Sequence, residues 1–256
     1  MRGRLIRSIA MIAHGALALF PAVAQTSPSG KIPRAPDGKP DLSGIWQAIG
    51  VSLFGETGEV RPGEKRASTY GPRESAPYQA WAVSKVNELA ADNRTDPNVH
   101  CKMAGVPRIT GIPVPFEIVQ TPKKTIILYE SNHAFRIIPT DGKGHPADLD
   151  PTYMGDSVGR WEGDTFVVDV TGFNDKTFVG LGGYRHTTAY HVVERYHRVS
   201  YEELDYEATI DDPNVFAAPF TQSSKMRLHP EWQIQEYVCE DNNKDYKELF
   251  QDDRKK

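Results

Sequence analysis

The sequence predicts a mainly β fold, an antiparallel barrel or curved sheet, with one packed helical segment at about residues 76–92. From Phe116 onward, short segments rich in β-branched and aromatic residues alternate between apolar and polar positions, as in "TFVVDVTGF" and "HVVERYHRV". Gly, Asp, Asn or Pro separates most of these segments. Tight turns such as "WEGDTF" favour hairpins, which join antiparallel strands, so the sequence argues against a parallel α/β sheet.

The first element, residues 1–24, has the pattern of a signal peptide. Three arginines precede an apolar run from Ile9 to Val23, and Ala22-Val23-Ala24 has small residues where signal peptidase reads them. The apolar run is too short to span a membrane. We therefore expect cleavage near Ala24, export to the periplasm or the medium, and no stable membrane insertion.

Three further segments complete the predicted organisation. Residues 25–42 are rich in Pro, Gly and Ser and predict an extended, poorly packed arm. Residues 43–245 predict a single β-rich domain, and residues 246–256 a frayed or short helical tail. Within the domain, Tyr78, Ala82 and Val86 recur at helical spacing, which places the one helix.

Charge and cysteine content narrow the function classes. The chain carries a net charge of −4 and no cluster of Lys and Arg, which argues against a nucleic-acid surface. Export implies an oxidising compartment, where the only two cysteines, Cys101 and Cys239, are expected to form a disulfide. A metal-bound or nucleophilic thiol is the alternative, with His100 beside Cys101.

The stretch "RHTTAYHVVERYHRV" places three histidines and Glu194 within twelve residues. In a strand, His191 and His197 lie roughly 20 Å apart, and in a helix they point in different directions. Zinc ligands must all lie about 2 Å from one ion, so this string predicts no metal site. A strand instead puts Tyr190, Val192, Glu194 and Tyr196 on one face.

Glu194 lies in the middle of this more apolar face, which we expect to line the interior. A carboxyl group there has its pKa raised by burial, which suits a general acid or base. The alternative is that Glu194 pairs with an internal arginine such as Arg136 and only satisfies a buried charge.

Other candidate site residues flank this strand. His133 shares a predicted apolar face with Phe135 and Ile137 and is either a proton shuttle or a satisfied core histidine. His186 lies in a Gly-rich connection of the kind that carries function at barrel mouths. We assign His133, His186 and Glu194 as candidate catalytic residues. The candidate substrate-binding residues are Arg136, Tyr153, Trp161 and Tyr190, of which Tyr153 and Trp161 could equally be plain core.

No motif predicts a cofactor. The glycines of "GLGGYR" do not match a dinucleotide fingerprint and lie outside any βαβ unit. Ser157 occupies the centre of "GDSVG", but a nucleophile elbow needs a following helix and here a hairpin follows. We therefore expect neither a cofactor nor a metal.

Two resemblances add to these patterns. Gly44-Ile45-Trp46 in "PDLSGIWQ" is similar to the Gly-x-Trp signature of lipocalins and related calycin barrels. That resemblance implies a lipocalin-like barrel, a tryptophan that closes its base, and a cavity for small hydrophobic molecules. The segments "SVGRWEGDT" and "EYVCEDNN" resemble a large, mostly uncharacterised family of exported bacterial proteins. This second resemblance implies export and a single domain that contains both cysteines, but it implies no activity.

These observations predict an exported, cofactor-independent enzyme of the lyase, isomerase or cyclase type. It would act by acid–base chemistry in a barrel cavity on a small hydrophobic or aromatic molecule. The alternative is a non-catalytic, lipocalin-like binding protein for a small hydrophobic ligand. The sequence does not predict an oligomeric state.

Overall fold

The computed structural model describes residues 30–49, 76–90, 96–180 and 185–242. The predicted signal peptide and the predicted C-terminal tail lie outside these residues. The described part is mostly β and contains nine antiparallel strands in one sheet. The strands are β1 (Gly44–Ile49), β2 (Phe116–Gln120), β3 (Lys124–Tyr129), β4 (Phe135–Pro139), β5 (Asp156–Glu162), β6 (Thr165–Thr171), β7 (His191–Arg198), β8 (Glu203–Asp211) and β9 (Phe220–Leu228).

The sheet has the strand order β4-β3-β2-β1-β9-β8-β7-β6-β5 and curls into a nearly closed barrel. Strands that follow each other in the chain pair with each other, except β4 and β5, which no ladder joins, and β1 also pairs with β9. This arrangement confirms the predicted antiparallel, lipocalin-like barrel.

The side chains along β7 alternate between buried and more exposed positions, as the sequence predicts. Tyr190, Val192, Glu194 and Tyr196 are buried, whereas the residues between them are half-buried or exposed. The same alternation along β6 and β8 turns Phe166 and Tyr206 inward beside them. Period-two patterning therefore assigned the interior face correctly, because successive side chains of a strand point to opposite faces.

The open side of the barrel, between β4 and β5, is closed by side chains. Arg136 of β4 donates hydrogen bonds to the Ser157 hydroxyl of β5, the shorter at 2.8 Å. A Cβ on Gly159 would come within 2.9 Å of Ile138 and 2.7 Å of Phe166. Glycine is therefore what lets β4 and the β6 core approach β5 this closely.

Trp46 lies buried at the end of the barrel away from Tyr190. Its Nε1 donates a hydrogen bond to the Leu42 carbonyl at 2.9 Å. The guanidinium of Arg198, the last residue of β7, lies 5.1 Å from the indole centroid, in cation–π range. Arg198 also donates to the backbone carbonyls of Ser200, Asp41 and Tyr201, so this end is tied together by one side chain.

The helices are few and short. The predicted helix is present as α1 (Ala80–Ala90), which turns Ala82 and Val86 inward. Trp81 is 58% exposed, because Ala82 and Val86 occupy the buried stripe of the helix. Short helices lie at α2 (Arg108–Gly111) and α3 (Cys239–Asn242), with 3₁₀ turns at Pro97–His100 and Ser131–His133.

Two long-range ties hold the ends of the described chain. Arg34 of the N-terminal arm forms an exposed bidentate pair with Asp164 at 2.7 Å, and Leu42 at the end of the arm is fully buried, whereas most of residues 30–39 are exposed or half-buried. Cys101 and Cys239 form the predicted disulfide, with their Cα atoms 5.6 Å apart. This bond fits an oxidising compartment. Among the described helices, none has the length and apolarity needed to cross a membrane.

Candidate functional site

A charged pair lies inside the barrel. Arg136 Nη2 donates to Glu194 Oε2 at 2.6 Å, and both side chains are almost wholly inaccessible. They come from β4 and β7, which are far apart in the sheet order and face each other across the interior. The sequence placed both residues among the candidates, and the structure brings these two together.

Tyrosine hydroxyls complete the hydrogen bonding of this pair. Tyr196 and Tyr206 each donate to Glu194 Oε1 at 2.9 Å. On the other side, Arg136 contacts the Tyr129 hydroxyl at 3.4 Å, which in turn lies 3.2 Å from the Thr110 hydroxyl. A buried ion pair is stable only when such partners replace the water that both charges lose.

The electrostatics keep this cluster in one protonation state. Burial alone would lower the pKa of the Arg136 guanidinium, but the Glu194 charge raises it well above its ordinary value. Burial and the same carboxylate raise the pKa of Tyr196 and of Tyr206 well above that of a free phenol. The cation stays charged and the phenols stay protonated as donors.

The geometry agrees with the second interpretation of Glu194, in which it satisfies a buried arginine. Its two oxygens accept three hydrogen bonds, one from Arg136 and one from each of the two tyrosines. A carboxylate held this way orients its neighbours. Three of the about four acceptor positions of the carboxylate are occupied, which leaves little capacity for a proton from another molecule.

Two other interior polar atoms have no partner. The hydroxyl of Tyr190 and Oε1 of Gln222 are buried and make no hydrogen bond to any residue that the structure describes. Gln222 lies on β9 in the cross-strand row that contains Ala208 and Glu194. Buried polar atoms are usually satisfied, so these two atoms are the interior donor and acceptor whose hydrogen-bonding capacity the described residues leave unused.

The surroundings of Tyr190 keep its hydroxyl protonated. Burial, followed by the nearby carboxylates of Asp212 and Glu194, raises the pKa of Tyr190 well above its ordinary value. Its ring stacks on His186, with centroids 4.2 Å apart, and packs edge-on against Phe173 at 4.9 Å. Tyr190 is therefore a rigidly held hydrogen-bond donor and not a phenolate.

His186 is buried beside Tyr190 in a defined tautomer. Its Nδ1 lies 3.1 Å from the Thr187 carbonyl, which can only accept, so Nδ1 carries the proton. Nε2 then accepts from the Thr177 hydroxyl at 2.5 Å. Burial lowers the pKa of His186, so the ring is a neutral imidazole near neutral pH. Asp212 accepts from the backbone N–H and hydroxyl of Thr187 and so fixes this connection.

His133 does not share this interior. It lies in the turn before β4, is exposed, and its Nε2 accepts from the backbone N–H of Tyr237 at 2.8 Å. The expected apolar face is the outer one, because Phe135 is 63% and Ile137 is 50% exposed while Arg136 and Ile138 are buried. Single-strand alternation cannot tell inside from outside when both faces carry apolar residues.

Tyr153 and Trp161 both pack against the core at its edge. Trp161 of β5 contacts the Phe166 ring at a centroid distance of 5.2 Å, in the cross-strand row that also contains Tyr196. Tyr153 lies in the connection before β5 and is partly buried against the core. Neither residue contacts the Arg136–Glu194 pair through a described hydrogen bond.

A second polar cluster, on the outer face of β5–β7, was not predicted. His145 lies between two carboxylates, with Nδ1 2.5 Å from Asp156 and Nε2 2.9 Å from Asp169. His191 reaches the other oxygen of Asp169 at 3.1 Å. The chain Asp156–His145–Asp169–His191 ties the loop that contains His145 to the sheet. The sequence alone predicts only that Asp169 and His191 point outward from adjacent strands.

This cluster predicts a pH dependence. Partial burial opposes the charged form, but the hydrogen bonds that His145 donates to Asp156 and Asp169 outweigh it and raise the pKa of His145. The stabilisation is therefore complete below about pH 6.5 and is lost as the pH rises through the raised pKa. We expect urea unfolding of the wild type to show this loss, and His145→Gln to lack it. His197→Gln, at an exposed histidine of β7, should keep the wild-type profile. Equal profiles for wild type and His145→Gln would contradict the assignment.

Neither cluster is a metal centre. Among the residues that the structure describes, no group of three or more His, Cys, Asp or Glu has an arrangement that could hold an ion. Comparisons with protein-family models, with curated proteins and with solved structures found no match to this chain.

Proposed function

We propose that the barrel interior takes a small, mostly hydrophobic or aromatic molecule and that the protein acts on it as a cofactor-independent acid–base enzyme. The reaction would be of the lyase, isomerase or cyclase type, and the enzyme an exported one. The observation that carries this proposal is the buried, unpaired hydroxyl of Tyr190 in an interior that also holds Arg136 and Glu194.

The unpaired atoms indicate the chemistry of the guest molecule. Tyr190 offers a donor and Gln222 an acceptor, and the other inward side chains around them are largely aromatic or aliphatic. A guest with a carbonyl or ether oxygen and a separate hydroxyl or N–H would satisfy both atoms. A carboxylate guest is disfavoured, because Glu194 already takes the Arg136 charge.

Each interior group has a definite part in the proposed reaction. The Tyr190 hydroxyl donates to a substrate oxygen and stabilises negative charge that develops there when a neighbouring carbon loses a proton. Neutral His186, stacked on Tyr190, is the proton acceptor through Nε2, where Thr177 now donates. Arg136 and Glu194 hold the hydroxyls of Tyr129, Tyr196 and Tyr206 in place, and as a neutral pair they add no net charge to the interior.

The second candidate is a binding protein without catalysis. It is favoured by the saturation of Glu194 and His186, whose charged or basic atoms all have partners within the protein. A carrier needs only the unpaired atoms and the apolar lining.

One experiment distinguishes the enzyme from the binding protein. The mature protein is incubated with small-molecule extracts, and both the solution and the washed protein are examined by mass spectrometry. An enzyme depletes a compound and yields a product of related mass, and Tyr190→Phe abolishes that conversion. A carrier retains an unchanged compound, which Tyr190→Phe releases. If neither conversion nor retention depends on Tyr190, the interior site is refuted.

A stability comparison tests the unpaired hydroxyl directly. Tyr190→Phe removes a buried group that has no partner, so we expect unchanged or increased stability, by up to about 1 kcal/mol. Tyr206→Phe removes a donor to buried Glu194 and should cost about 1–3 kcal/mol. Urea unfolding followed by tryptophan fluorescence measures both. A loss in Tyr190→Phe equal to that in Tyr206→Phe would show that the Tyr190 hydroxyl is already satisfied within the protein.

A further inference from the structure

A groove on the outside of the barrel has the composition of a binding site. It lies where the chain leaves β9, has a volume of about 420 Å³ and is open to solvent. The size is within the range of small-molecule sites. Its described lining residues are Pro115, Glu130, Glu231, Trp232, Gln233 and Gln235.

Trp232 forms a rigid aromatic surface in this groove. Its indole stacks on His229 with ring centroids 3.6 Å apart and an angle of 12°. The backbone N–H of Trp232 donates to the His229 carbonyl, which closes a turn at Pro230 and Glu231. His229 covers one face of the indole, yet Trp232 remains 39% exposed and lines the groove. The face opposite His229, called the free face below, is the one that a ligand in the groove would meet.

Hydrogen bonds hold the groove wall in position. Glu130 accepts from the backbone N–H of Gln235 at 2.9 Å, and His133 accepts from that of Tyr237 at 2.8 Å. Asn132 and His133 both have positive φ, of 56° and 48°, a conformation that costs non-glycine residues free energy. The Asn132 side chain donates to the Cys101 carbonyl, and Cys101 is bonded to Cys239. The strained turn and the C-terminal segment therefore support each other.

The charge of the lining selects the ligand class. Two carboxylates, Glu130 and Glu231, line the groove together with Trp232, and no Lys or Arg occurs among the six described lining residues. An anion is disfavoured at such a site. A cationic group gains both from the carboxylates and from the electron-rich face of Trp232.

We propose that this groove binds an organic ammonium group, such as a quaternary amine, over the free face of Trp232. The site is separate from the barrel interior and does not depend on the function proposed for it. His133, which the sequence marked as a catalytic candidate, here acts as a positioning residue for the groove wall.

Choline chloride and its neutral isostere 3,3-dimethyl-1-butanol test the proposal. The indole N–H resonances of the ¹⁵N-labelled protein are followed during titration at constant ionic strength. We expect choline to shift the Trp232 resonance saturably. The isostere should bind about threefold to fivefold more weakly than choline. Methyl glucoside, a neutral ring that can also stack on tryptophan, serves as the third probe.

Variants assign the effect to named groups. Trp232→Ala should abolish saturable choline binding, and the double variant Glu130→Gln with Glu231→Gln should weaken it severalfold and reduce its salt dependence. Trp81→Ala, at another exposed tryptophan, is the matched control and should bind as the wild type does. Equal binding of the isostere, preferential binding of the glucoside, or no shift of Trp232 would each overturn the proposal, whatever the barrel interior does.

Discussion

Replacing Glu194 by Gln is expected to destabilise the fold by about 3–5 kcal/mol, because Arg136 would stay buried without its counter-charge. This is a large part of the 5–15 kcal/mol that ordinary domains have in total. Urea unfolding, followed by tryptophan fluorescence and circular dichroism, measures the loss. Glu207→Gln is the matched control, since Glu207 lies on the neighbouring strand β8 but is exposed, and it should change stability by less than about 0.5 kcal/mol.

A double variant distinguishes the free energy contributed by the ion pair from the cost of leaving Arg136 buried without a counter-charge. Arg136→Met combined with Glu194→Gln removes both charges, so its cost should be well below the sum of the two single costs. If Glu194→Gln unfolds at the same urea concentration as Glu207→Gln, the Arg136–Glu194 pair contributes nothing to the free energy of unfolding. The interior would then hold Glu194 by other means.

Loss of the Cys101–Cys239 disulfide is expected to cost about 5 kcal/mol. The bond closes a loop over a sequence separation of 138 residues, and the loop-entropy relation assigns such a loop about this value. Unfolding is compared with and without a phosphine reductant, and with the double variant Cys101→Ser, Cys239→Ser. The chain has only these two cysteines, so the reductant acts on this bond alone.

The double serine variant also provides the control for the reductant. It lacks the bond from the start, so the reductant should leave its unfolding curve unchanged. A wild-type midpoint that does not move on reduction would mean that the disulfide adds no stability. It would then serve only to hold the segment after β9 beside the turn at Asn132.

The Arg136–Glu194 pair shows how much of the interior strand alternation can predict. Alternation along β7 put Glu194 on the same face as Tyr190 and Tyr196, and the structure confirms that this face is buried. Alternation also grouped Arg136 with Ala134 and Ile138, all of which are buried. The pairing of Arg136 with Glu194 was named as one possibility, and it is the arrangement observed.

His133 shows where that reasoning fails. Its strand carries Phe135 and Ile137 on one face and Ala134, Arg136 and Ile138 on the other. A rule that buries the more aromatic face selects the wrong side, because Glu194 across the interior compensates the cost of burying Arg136. A local pattern does not contain that requirement.

His145 and Gln222 were missed for a different reason. His145 lies in a loop, and its importance comes from two aspartates brought together by strand pairing. Gln222 is an ordinary polar residue in its strand, and it becomes notable only because its carbonyl is buried without a partner among the described residues.

The linear order of residues was enough to determine the antiparallel sheet, the inward face of β7, the helix at α1 and the joining of the two cysteines. These features depend on side-chain periodicity, turn composition and cysteine count, which are properties of neighbouring residues or of the whole composition. The strand order, the closure of β4 on β5, the Arg136–Glu194 contact and the Trp232 groove were decided by the tertiary structure alone. They join segments 21 to more than 100 residues apart, and which distant segments meet depends on the total free energy of packing and not on any local pattern.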